Sequence, residues 1–88
     1  MTTQEILSVL KQNAQQCSGI VNGKEFGVDR GPFENSEKKY VAYFIEGYNG
    51  DFFFNTLEEF LNGFLIEGVP IGEQLNGITS FSVDSCTN

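Results

Sequence analysis

The sequence predicts a small α+β domain: a mixed or antiparallel sheet of about four strands packed against two helices, in the order α-β-β-β-α-β. Three observations predict it. Two stretches carry apolar residues at helical spacing behind capping signals, and others alternate as strands do. The stretch from Tyr40 to Glu67, which holds nine of the twelve aromatic residues, reads as strand, turn, strand, helix. The chain of 88 residues is expected to form one domain over 1–88, because division would leave pieces of about 40 residues, too small for an unstapled core. With 40% apolar and 14% aromatic residues it is expected to fold despite a formal charge of −7.

In chain order, Thr2 to about Gln16 is expected to be helical. Ile6, Leu7, Leu10, Ala14 and Cys17 recur at spacings of three and four, and Thr2 with Glu5 matches a capping box. Residues 20–29 read either as one strand broken by a bulge or as a short hairpin. Phe26 and Val28 alternate, while Asn22-Gly23 is the dipeptide best suited to a two-residue hairpin turn. A loop follows over 30–38.

Lys39 to Glu46 is the strongest predicted strand, with Val41, Tyr43 and Ile45 on one side and Tyr40, Ala42 and Phe44 on the other. Apolar residues on both sides predict an interior strand covered, at least in part, on both faces. Gly47 to Gly50 reads as a turn, and Asp51 to Phe54 as the returning antiparallel strand. Thr56 and Glu59 mark a second capping box, and Leu57, Phe60, Leu61, Phe64 and Leu65 give an amphipathic helix ending near Ile66. Ile71 to Leu75 suits a short helical turn. Ile78 to Asp84 is the last expected strand, with Thr79, Phe81 and Val83 facing inward, and residues 85–88 are expected to be a flexible tail.

Several kinds of chemistry lack their usual residues. The chain has no histidine, which removes the common general base, the common metal ligand and the Ser-His and Cys-His nucleophile pairs. Cys17 and Cys86 lack the paired spacing of a zinc site; reduced thiols are expected, although a disulfide between them would close a long loop. Asp29, Asn35 and Glu37 miss the calcium-loop spacing. No glycine cluster forms a nucleotide-binding motif. We therefore expect a non-enzymatic protein without cofactor, metal or catalytic residues. No apolar run is long enough to span a bilayer, and the first residues lack a basic leader, so a soluble cytoplasmic protein is expected.

Charge is the one functional clue. From Tyr40 onward there are seven acidic residues, Glu46, Asp51, Glu58, Glu59, Glu67, Glu73 and Asp84, and no lysine or arginine. A pI near 4.2 disfavours direct contact with nucleic acid or anionic membrane and favours a basic protein surface. The expected partner-binding residues are Glu46, Tyr48, Asp51, Glu58, Glu59 and Glu67, with Tyr48 as aromatic anchor. Glu58 and Glu59 also have a local role in the first helical turn, where negative charge meets the helix dipole.

The leading expectation is a binding or inhibitor protein whose acidic face occupies a basic, nucleic-acid-binding surface on a larger partner. By analogy of size and charge only, phage anti-defence inhibitors such as anti-CRISPRs, and nuclease immunity proteins, work in this general way. The alternative is a structural or adaptor module that self-associates through apolar surface or a sheet edge, with Phe53, Tyr48 and the last strand as its best features.

Overall fold

The computed structural model describes residues 2–12, 15–31 and 38–83. Its elements are α1 (Thr3–Leu10), β1 (Gln15–Val21), β2 (Lys24–Arg30), β3 (Tyr40–Phe44), β4 (Phe52–Phe54), α2 (Leu57–Gly63), β5 (Leu65–Ile66), β6 (Val69–Pro70) and β7 (Ile78–Val83). Two short 3-10 turns, Ile71–Glu73 and Leu75–Gly77, connect β6 to β7. The main sheet runs β4-β3-β2-β1-β7 with every neighbouring pair antiparallel, and β5-β6 form a separate two-stranded ribbon. This is the expected α+β class, with a five-stranded sheet where about four strands were predicted.

The first helix is shorter than its apolar spacing predicts. Its start is the predicted capping box: the Glu5 amide donates to Thr2 Oγ1 at 3.2 Å, and the Thr2 amide donates to Glu5 Oε1 at 2.7 Å. Its end comes at Leu10, and the chain from Gln15 to Val21 is strand. A spacing of four is close to a helical turn and is also two strand repeats, so Cys17 and Val21 satisfy either period. Sheet pairing decides between them, because β1 hydrogen-bonds to β2 along one side and to β7 along the other. Of the two readings for residues 20–29, the hairpin holds. Asn22 and Gly23 both take positive φ, 51° and 75°, in the turn that joins β1 to β2.

The register divides the sheet into two faces. Cys17, Val21, Phe26, Val28, Tyr40 and Ala42 point to one side and are buried there with Ile6 and Leu10 of α1, Phe60 and Phe64, Ile66, Ile71 and Leu75. The Tyr40 hydroxyl donates 2.8 Å to the Leu10 carbonyl, one of the acceptors a helix leaves unpaired at its end. Arg30 lies with its guanidinium carbon 5.0 Å from the centre of the Tyr40 ring and donates to the Gly31 carbonyl at 3.1 Å. Cys17 is buried; whether it meets Cys86 falls outside the described residues, as does the predicted tail.

Three further expectations need correction. The second helix ends at Gly63, where an added Cβ would stand 2.9 Å from the Phe54 ring, and Phe64 is already extended. The helical stripe therefore breaks, leaving Leu65 exposed and Ile66 fully buried in β5. The capping box of α2 is displaced by one residue: Thr56 Oγ1 accepts from the Glu59 amide at 3.0 Å, while Glu59 Oε1 accepts from Asn55 rather than from Thr56. In β7, two residues stand opposite Gly19 of β1 where one would match, because the register shifts between Ser18 and Ile20 and Ser80 takes φ 55°. That bulge turns Ile78, rather than Thr79, to the core side along with Phe81, and Val83 remains exposed.

Tyr40→Phe removes the donor from a buried carbonyl without altering the ring stack. We expect it to lower unfolding free energy by about 1–2 kcal/mol, measured by urea denaturation.

Candidate functional site

The other face of the sheet is where β3 departs from expectation. The strand is interior, between β2 and β4, but among the described residues no helix lies over the side that carries Val41, Tyr43 and Ile45. Val41 is still largely buried at 8% exposure, whereas Ile45 is 44% exposed and Phe53, on the outermost strand β4, is 51% exposed. Phe53 pairs directly with Val41, and Val41 with Asp29. The polar partners are legible in β2 itself: Glu25 and Asp29 alternate with the buried Phe26 and Val28, which marks their side as the wet one.

Tyr43 organises this face. It stands opposite Gly27, and a Cβ on that glycine would lie 2.5 Å from the Tyr43 ring, so the ring rests on bare backbone. The Tyr43 hydroxyl reaches Asp29 Oδ1 at 3.4 Å. Tyr48, which follows the β3 turn, approaches the Tyr43 ring edge-on with centroids 6.4 Å apart. Its own hydroxyl donates 2.8 Å to Asp51 Oδ1. Val41, Tyr43, Phe44, Ile45 and Tyr48, with Asp29 and Asp51 at the rim, line a shallow open depression of about 450 Å³. No basic residue lines it.

The hydrogen bond to Asp51 is the leading cause that raises the Tyr48 pKa above the usual phenol value, followed by desolvation and by the negative charge of Asp51. The neutral phenol is the form that donates, so both Asp51 effects act in the same direction. Toward β1 and β7 the same face is neutral: Ser18 and Ser82 hydroxyls lie 3.3 Å apart, and the Thr79 hydroxyl donates to the Ile20 carbonyl at 3.3 Å.

The six residues expected to bind a partner do not form one cluster. Tyr48 and Asp51 come together at the depression, and Glu46 is exposed in the same turn. Glu58 and Glu59 are exposed at the start of α2 beside a separate shallow surface lined by Phe54, Thr56, Asn62 and Gly63. Glu67 sits at φ 55° in the turn between β5 and β6. Asp29, Tyr43 and Ile45 were not expected in the site; their strand pattern contained the signal, but only once β2 and β3 are placed side by side. Of the chain's cations, Arg30 is engaged on the helix-covered side, and Lys39 stands at the opposite end of β3 from Tyr48.

Among the described residues no group of three or more histidine, cysteine, aspartate or glutamate side chains is placed to hold a metal ion. No helix there is long and apolar enough to cross a membrane. Compared with protein-family models, with curated proteins and with solved structures, the chain matches none of them.

Because the folded Tyr48 pKa lies above the unfolded value of about 10, stability contributed by the bond is complete below that pH and is lost as pH rises through the folded value. In Asp51→Ala the Tyr48 titration should move down toward about 10, followed by the ζ-carbon chemical shift of Tyr48 across a pH series. An unchanged titration would remove Asp51 as the cause.

Proposed function

We propose that this chain is a non-enzymatic binding protein that docks its aromatic, acidic sheet face on a basic surface of a larger protein. A surface of the kind that nucleic-acid-processing enzymes use to hold phosphates has the matching charge, and covering it would make the chain an inhibitor. One observation carries the proposal: an aromatic depression rimmed by carboxylates that, among the described residues, is uncovered and has no basic residue in its lining. An exposed phenol at 59%, held in one orientation by a carboxylate, has the amphipathic character of interface anchors and loses little freedom on binding. The surrounding net charge of −7 supports fast, salt-sensitive association with a cationic partner.

The depression also narrows the expected contact set. Tyr48 and Asp51, with Glu46 close in sequence, form the centre of the proposed interface, and Asp29, Tyr43 and Phe53 extend it. Glu58, Glu59 and Glu67 contribute the long-range field rather than the central contact.

Retention of host proteins on the immobilised chain should fall between about 0.05 and 0.5 M salt, and the retained species should present basic surfaces. Against a purified retained partner, Tyr48→Ala should weaken binding by about 2 kcal/mol, or some thirtyfold. The double variant Glu58→Lys with Glu59→Lys should chiefly slow association and steepen nothing else. Affinity that ignores salt, Tyr48→Ala and the double variant alike would overturn the proposal.

A further inference from the structure

The depression has a chemistry more particular than negative charge, and the inference drawn from it rests on the binding function proposed above. Its floor is apolar, from Val41 and Ile45; its wall is two tyrosine rings inclined at 70° to each other; its rim carries Asp29 and Asp51. Each phenol is directed at one carboxylate, Tyr48 at Asp51 and Tyr43 at Asp29. Tyr48 engages only Oδ1 of Asp51, and Oδ2 has no hydrogen-bond partner among the described residues.

We infer that this depression receives an arginine side chain from the basic partner. A guanidinium is planar, stacks on aromatic rings and donates in a fixed fork to carboxylates, while its methylene stem packs on apolar surface. The site offers all three complements within one depression. Lysine satisfies the charge but not the planarity, since its ammonium is a compact, strongly hydrated point charge.

The occupant comes from a different protein rather than from a second copy. The chain has a single arginine, Arg30, and that side chain is stacked on Tyr40 and bonded to the Gly31 carbonyl on the covered side of the sheet. The one guanidinium of a second copy is therefore already engaged.

The test is a titration of the isotope-labelled chain with three acetylated, amidated tripeptides, Gly-X-Gly with X as arginine, lysine or citrulline, followed by backbone amide shifts. The arginine peptide should shift the amides of Tyr43, Tyr48 and Asp51, the lysine peptide should bind about three- to fivefold more weakly, and the uncharged citrulline peptide should produce no saturable shift. Tyr48→Ala and Asp51→Asn, whose own amide dispersion reports that they remain folded, should each lose the arginine response, while Glu73→Gln, at an exposed residue of the first 3-10 turn, should keep it. Equal response to arginine and lysine, or shifts centred on α2 instead, would overturn the inference. In that event a salt-sensitive partner still lost on Tyr48→Ala leaves the binding function standing and removes only the arginine.

Discussion

Phe60 of α2 and Phe64, the extended residue just past its end, join the sheet to the elements packed on it. Phe60 stacks on Tyr40 at 6.2 Å and meets Phe54 edge-on at 5.9 Å; Phe64 reaches Phe44 at 5.1 Å, Phe52 at 5.8 Å and Phe26 at 6.1 Å. The two also stack on each other at 5.7 Å. Rings from β2, β3 and β4 thus converge on Phe60 and on the residue that follows a helix of seven residues, far too short to be stable alone. Tertiary contact supplies its stability, and aromatic pairs add about 0.5–1.5 kcal/mol each beyond the area they bury. Because α1, α2 and the 3-10 turns contribute to this same side, the described chain has no helix left for the other. The exposed face of the sheet is a consequence of that allocation.

What the sequence makes legible follows from how local each signal is. The cap formed by Thr2 and Glu5 and the β3–β4 hairpin are settled within a few residues and appear where expected, and the Asn22-Gly23 turn is one of the two readings that residues 20–29 left open. The extent of the first helix is not local: Leu10 and Cys17 look continuous along the chain, yet one belongs to a helix and the other to a strand fixed by two distant partners. The bulge at Ser80 is similarly invisible, since it arises from pairing with β1. For the site, Tyr48 and Asp51 are three residues apart in one turn and can be found from sequence. Asp29 and Tyr43 are fourteen apart, and β3 reads as covered on both sides until β2 shows which side is wet. Charge alone groups Glu58, Glu59 and Glu67 with them, because composition carries no position.

The scaffold and the site share strand β3. Its even-numbered residues, Tyr40, Ala42 and Phe44, face the phenylalanine cluster, and its odd-numbered ones, Val41 and Tyr43, line the depression with Ile45 just past the strand's end. A core this tightly interlocked fixes the strand's pleat, and the pleat fixes the spacing of the exposed rings. Tyr43 is further constrained by Gly27 beneath it, where any larger residue would lift the ring away. The proposed contact surface is therefore organised before a partner arrives, which reduces the ordering cost of binding.

The bulge in β7 has an effect on the molecule's behaviour in a crowded solution. In the sheet order β7 is an outermost strand, and a regular outermost strand offers a row of amides and carbonyls on which another chain can grow. At Ser80 the backbone turns left-handed and the row loses its even spacing, with hydroxyl-bearing Thr79, Ser80 and Ser82 exposed along it. So irregular a rung disfavours the addition of another strand there. The irregularity thus blunts the β7 border alone; the opposite border is β4, where Phe52 and Phe53 are exposed.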